Sequence, residues 1–265
     1  MNLKAELEHL MPSVEPSPWP GHEHVRGYGV FGLPLSSGHT FALRVFPIND
    51  FAPYVTVWHQ APDGAWSIHY QAPRPDIACP RYYGAAARHI APATIDLEWR
   101  GAAELTIYVD RPQLEWTVWM HEPPVLRLLN MVSKRLPLWT WQHAPLLKMR
   151  EWMARLLGMG TIKLAGHMPS GHFGVLMPQR MYLIDRAHVQ LAGVDLGAPV
   201  RVSPNPKIGD VPLPARGIFA IGQAHWEIRD EAEYHRTRAE LGHRTSALLL
   251  AAQGRDIQDK SPYET

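Results

Sequence analysis

Between Ile95 and His121 apolar and polar residues alternate through three successive runs, separated by Gly101-Ala102-Ala103 and Arg111-Pro112-Gln113. Ile95, Leu97 and Trp99 interleave with Asp96, Glu98 and Arg100. Leu105, Ile107 and Val109 interleave with Glu104, Thr106 and Tyr108, and Leu114, Trp116, Val118 and Met120 with Glu115, Thr117, Trp119 and His121. A period of two is the signature of a strand, and a slip of one residue would turn the whole apolar set out to water, so this parity fixes a face for every side chain. The expectation is an antiparallel meander with one buried and one wet face.

Two further hairpins precede it. Val25 to Leu35 and His39 to Phe46 flank Ser36-Ser37-Gly38, and Tyr54 to Gln60 and Trp66 to Gln71 flank Ala61-Pro62-Asp63-Gly64. Each turn offers a glycine where a tight reversal needs one. Seven strands in hairpin order predict a sheet that curls into a barrel and removes its own edges.

From Pro123 to Gly160 the period changes. Val125, Leu126, Leu128, Leu129 and Val132 fit one helical face, and Leu146, Met149, Trp152, Met153, Leu156 and Leu157 fit another, with Pro137 and Pro145 between them. Strand signals resume at Thr161 to His167, His172 to Met177, Tyr182 to Gly193, Pro199 to Ser203 and Gly217 to Ile228, and Asp230 to about Gln253 predicts a closing helix. The expected fold is mostly β: an antiparallel barrel with a helical insertion and a C-terminal helix. A turn repeated between Gly32 to Phe41 and Gly166 to Phe173 leaves duplication open. The expected partition is an N-terminal surface helix and Pro-rich entry (1–24), a first β half (25–122), the insertion (123–160), a second β half (161–228) and a C-terminal helix and tail (229–265). The second half, short of a full barrel's strands, is alternatively the completion of the first sheet.

Charge and cysteine content exclude several classes. Lys and Arg (26) nearly cancel Asp and Glu (25), so no basic field exists to bind nucleic acid. A single cysteine, Cys79, rules out an intrachain disulfide and a thiolate metal cluster. The Met1 to Met11 segment lacks the apolar stretch of a secretory signal, and the most hydrophobic region, Val125 to Leu164, is broken by charges that include Arg127, Lys134, Arg135, Lys148, Arg150, Glu151 and Arg155. A cytoplasmic chain is expected.

The Trp58-His59 to Trp66 hairpin with its Asp63-Gly64 turn, the Ile95 to Trp99 strand, and the segments Ala192 to Gly197 and Pro214 to Phe219 together resemble the double lipocalin-like family of carotenoid 1,2-hydratases and AttH-type proteins. That resemblance is architectural and covers residues 25–228. It implies an apolar cavity for an isoprenoid- or lipid-like molecule and, in some members, acid-assisted hydration of a carbon–carbon double bond.

Hydration or dehydration needs a carboxylic acid of raised pKa in an apolar pocket, with aromatic faces to stabilise a cation. Asp195, Glu98 and Asp96 are the carboxylates next to apolar or aromatic residues, and His59 and His69 are imidazoles set in strands beside Trp58 and Tyr70. These five are the candidate catalytic residues. The expected lining is Trp58, Trp66, Tyr70, Trp99, Trp116, Trp119, His121, Tyr82 and His172. Strand parity offers the alternative that His59, His69 and His121 face solvent while the indoles fill the core.

His22, His24, His167 and His172 lack the spacing of a metal site, so no metal is expected. Gly27-Tyr28-Gly29 and Gly158-Met159-Gly160 lack a nucleotide-binding context, so no cofactor is expected either. No Gly-x-Ser-x-Gly elbow is present, and Ser170 and His172 are read as strand neighbours pointing apart. Cys79 beside Arg81 reads as a buried inert thiol. The anticipated function is binding of a hydrophobic small molecule in a barrel cavity, by a cofactor-independent hydratase, dehydratase or isomerase. The alternatives are a non-catalytic carrier or a filled-barrel scaffold. The basic, Trp-bearing stretch 123–160 offers a peripheral membrane contact or a cover for the barrel.

Overall fold

A computed structural model describes residues 2–7 and 10–241. Among the described residues a thirteen-stranded sheet runs along a path of ten strands: β1 (His22–Pro34), β2 (Thr40–Asn49), β3 (Tyr54–Gln60), β4 (Trp66–Gln71), β5 (His89–Pro92), β6 (Ile95–Gly101), β7 (Glu104–Val109), β8 (Leu114–His121), β9 (Phe173–Leu191) and β10 (Ile218–Glu227), with the short Ser13–Val14, Ala165–His167 and Val194–Asp195 pairing beside it. Their spatial order is β5-β4-β3-β2-β1-β10-β9-β8-β7-β6, so two five-strand meanders join through the β1–β10 pair. The second half therefore completes the first sheet.

The sheet curls into a half-barrel. The sheet is mixed rather than wholly antiparallel: β4 and β5 run parallel, with Ser67 opposite His89, and Ser13–Val14 adds a second parallel pair, to β2. The edge strands β5 and β6 are consecutive in the chain, and the Ile95 N–H at the start of β6 donates to the side-chain oxygen of Gln71, the last residue of β4. Curling draws β1 tightly onto β2. A Cβ on Gly27 would lie 1.9 Å from the Val45 carbonyl oxygen and one on Gly29 2.0 Å from that of Leu43, so only glycine permits this approach.

Both faces of the sheet are packed. On the concave side Phe41, Leu43, Val57, Ile95, Leu105, Ile107, Val109, Leu114, Trp116, Val118, Met120, Ile184 and Phe219 form one cluster, with the faces that alternation assigned to β7 and β8. On the convex side Ala42, Tyr54, Trp58, Trp66, Ile68 and Trp226 pack under Cys79, Tyr82, Tyr83, Ile208, Val211 and Leu213 from two long connections. β2 and β3 are consequently buried on both faces and lose the alternation of a half-wet strand.

Helices cover the ends and one flank. The short α1 (Leu3–Leu7) is not a surface helix: Leu3 and Leu7 are buried in the concave cluster, and the Leu3 N–H donates to Ala102 O in the β6–β7 turn. α2 (Pro80–Tyr83) belongs to the convex cover. α3 (Pro124–Ser133) and α4 (Ala144–Leu156) pack outside the sheet beside β9. α3 is docked by Asn130, whose Oδ1 accepts the Met181 N–H and whose Nδ2 donates to Met181 O and to Glu122. The apolar faces expected to be buried are partly outward: Leu126, Leu147 and Ala154 are buried, while Val125, Leu128, Met149, Trp152 and Leu156 are at least half exposed.

In the second half His172 to Met177 and Tyr182 to Gly193 are parts of one 19-residue strand, β9, with register shifts at Pro178/Arg180 and Ile184/Arg186. Pro199 makes only an isolated bridge to Leu35, and no strand runs from there to Ser203. The closing helix occupies 231–241, and the rest of its expected span and the tail lie outside the described residues. Among the described residues no helix is long and apolar enough to cross a membrane.

Candidate functional site

α1 closes the end of the half-barrel at the β6–β7 turn. At the opposite end, where β7 turns into β8, an open cleft of about 720 Å³ is lined by His59, Ser67, His69, His89, Ala91, Pro92, Arg111, Pro112, Leu191 and Ala192. Register brings the histidines together. His59 on β3 lies opposite Phe41 on one side and Ser67 on the other, and Ser67 in turn faces His89 across the parallel β4–β5 pair. His59, Ser67, His69 and Phe41 therefore share the concave face, and Trp58, Trp66 and Tyr70 take the convex one.

His59 is half-buried and stacks on Phe41, with ring centroids 4.6 Å apart. Its Nε2 lies 2.7 Å from His39 Nδ1, so one nitrogen of the pair donates and the other accepts, and the two rings hold one proton between them. Burial first, then the neighbouring His39 and His69, pull the His59 pKa down to about 4. Burial also lowers His39. Both rings are neutral at pH 7.

His69 is only 5% exposed, and neither of its ring nitrogens has a hydrogen-bond partner. Its pKa is lowered by burial and by the nearby His89, against an opposing pull from Asp110. An unmet buried polar atom costs about 1–3 kcal/mol, and the His69 ring carries two of them beside the cleft. His89 is exposed, its ring 6.1 Å from that of His69. Among the described residues no group of three or more His, Cys, Asp or Glu is placed to hold a metal ion. The arrangement offers neutral bases against an apolar wall of Ala91, Pro92, Pro112 and Leu191.

The remaining sequence candidates do not converge here. Asp195 is exposed and its Oδ1 accepts the Gly197 N–H, the role of a turn former. Glu98 pairs with Arg100 on the wet side, and Asp96 is likewise exposed. None of the three carboxylates lines the cleft. Trp58 donates to Thr56 Oγ1, and Trp66 donates to Lys207 O beneath the convex cover. Tyr70 is on that same face. Trp99 and Trp116 are concave but pack into the core, Trp116 wholly buried and tilted against Phe41 at 5.6 Å. Trp119 lies on the convex face under the Arg186 guanidinium, 4.1 Å from its ring. His121 is exposed, with Nε2 2.6 Å from Asp185 Oδ2.

Tyr82 is buried on the convex side, stacked 3.9 Å from Trp226, and donates to Glu23. His172 lies 2.7 Å from Ser170 Oγ through its Nδ1 across the turn at Gly171 (φ +83°), so the expectation that the two point apart is corrected; residues two apart share a face even in a regular strand. Arg81 is committed to Glu23 and Glu233, and burial pushes the Cys79 thiol up, which leaves it protonated.

Of the expected catalytic set the structure brings together His59 and His69, buried toward the concave side rather than on a solvent face. Sequence reading missed His39 and His89. His39 follows the Gly38 turn and was accessible through the His39/Phe41 parity, whereas β5 is four residues long, ends in Pro92 and gives no local strand signal. No family model, curated protein or solved structure matches the chain.

Proposed function

We propose that the protein binds a hydrophobic small molecule bearing a hydroxyl or carbonyl group in the histidine-lined cleft, and that the half-barrel acts as a lipocalin-like cup whose mouth is this cleft. The observation that carries the reading is His69: a buried imidazole with two unpartnered nitrogens, set in an apolar wall, is tolerated when a ligand supplies the missing bond. In its enzymatic form the reaction is a cofactor-independent proton transfer, as in an isomerase, hydratase or dehydratase. The neutral His39–His59 pair takes and returns the proton in place of the carboxylates that the sequence pointed to. The resemblance to the double lipocalin-like family favours an isoprenoid- or lipid-like ligand.

Native mass spectrometry of protein from the producing cell tests the binding step. A retained adduct is expected in the wild type and lost in His69→Leu. Because the leucine removes two unmet polar atoms at similar volume, that variant is also expected to be more stable by about 1–3 kcal/mol. A His69→Leu protein that keeps its adduct, or that is less stable than wild type, sinks the reading. Deuterium entering a C–H position of the released ligand in D2O, and failing to enter with His59→Gln, marks the proton transfer; no incorporation with the wild type leaves the carrier reading in its place.

A further inference from the structure

Away from the cleft, α3 and α4 carry matching outward stripes. Val125, Leu128 and Val132 on α3 are 63%, 59% and 51% exposed, and Met149, Trp152 and Leu156 on α4 are 50%, 58% and 67% exposed. Both sets follow i, i+3, i+7, the spacing of a single helical face. The stripes flank one apolar cleft of about 130 Å³, to whose lining Val132 contributes from one side and Met149 from the other, with Leu129, Met153 and Leu157 at its walls. Apolar side chains gathered in this way on a surface mark a site that is covered in use.

Charge identifies the cover. Residues 123–160 contain Arg127, Lys134, Arg135, Lys148, Arg150 and Arg155 against the single acid Glu151, a net of +5 in a chain whose formal net charge is +1. Glu151 accepts the Leu164 N–H, and all the cations except Arg150 are exposed. A symmetric pairing of two copies would set this +5 patch against itself, which charge complementarity opposes. An anionic lipid surface satisfies both features, since apolar side chains enter the acyl boundary while long basic side chains reach back to the headgroups.

We propose that the α3–α4 face docks on an anionic bilayer, with the stripes in the acyl boundary and the cleft between them holding an acyl chain. Trp152 and Trp139, both more than half exposed, lie at the depth where indoles sit best.

The test is sedimentation of the full chain with phosphatidylcholine vesicles, with and without phosphatidylserine. Binding is expected with phosphatidylserine only, weakening as salt rises from about 0.1 M to about 0.5 M. It is expected to fall roughly tenfold or more in the double variant Leu128→Asp, Trp152→Asp. Both positions are exposed, so its circular dichroism and Tm stay those of the wild type. Charge reversal at Lys134→Glu and Arg135→Glu is expected to remove the lipid dependence while leaving the stripe intact. No sedimentation with anionic vesicles, or sedimentation unchanged in the double variant, overturns the proposal. A wild-type dimer that becomes monomeric in the double variant also overturns it, in favour of a second copy. Ligand retention by the His69 cleft is read separately and is unaffected by these surface variants.

Discussion

Three histidines show how a single buried ring links structure to pH. His225 is wholly buried, its Nδ1 3.1 Å from Ser17 Oγ and its ring stacked 4.3 Å from Trp19, and burial together with His24 and His22 brings its pKa to about 3. Burial and then the Arg81 charge bring His172 to about 4, and His59 is lowered to about 4 as well. In the unfolded chain each takes a proton near pH 6.5. Their contribution to stability is therefore complete above that pH and is lost as pH falls toward 4, because the unfolded state binds protons that the native state refuses. The unfolding free energy from urea titration is expected to drop over this window, by up to about 1.4 kcal/mol per pH unit for each ring; a flat profile from pH 7 to 4 contradicts the assignment. Glu23 is fully buried between Arg81 and Tyr82, and Glu23→Gln leaves the guanidinium with only the more exposed Glu233 as a charged partner, with an expected loss of about 3 kcal/mol in equilibrium unfolding.

Elements are held by a few placed contacts rather than by propensity. α3 buries little apolar surface, and its attachment rests on Asn130, which satisfies both backbone groups of Met181. Asn130→Leu leaves that N–H and carbonyl unmet beside the helix and is expected to cost about 2 kcal/mol. The loss should appear in hydrogen exchange as faster exchange at Met181 and through α3, with the core of β8 unchanged. The alternation of β6, β7 and β8 was readable because it is a local period, as were the hairpin turns at Gly38 and Gly64, both at positive φ. The split of β9 into two expected strands has a physical cause. Pro178 lacks an N–H and the ladder shifts there, so the local signal reads as a break while the strand continues past a bulge.

Across the whole molecule, the β1–β10 pair ties the two meanders into one sheet with shared concave and convex cores, so neither half has a complete interior alone. A single cooperative unfolding transition is expected, with calorimetric and van't Hoff enthalpies in agreement. A fragment of residues 1–122 is expected to fail to fold, since β1 loses β10 and exposes an apolar edge; two separate transitions or a folded fragment would contradict this. The sequence by itself determined which residues pair in hairpins, which faces of β7 and β8 turn inward, and that 123–160 is helical, because each depends on neighbours within a few positions. Only the tertiary structure decided that the sheet is a half-barrel with both faces covered, that Trp58 and Trp66 lie outside its concavity, and that His39, His59, His69 and His89 meet at one mouth. Those outcomes depend on curl, on register between distant strands and on which connection covers which face, and these are set by packing between residues far apart in the chain, where no local period reports them.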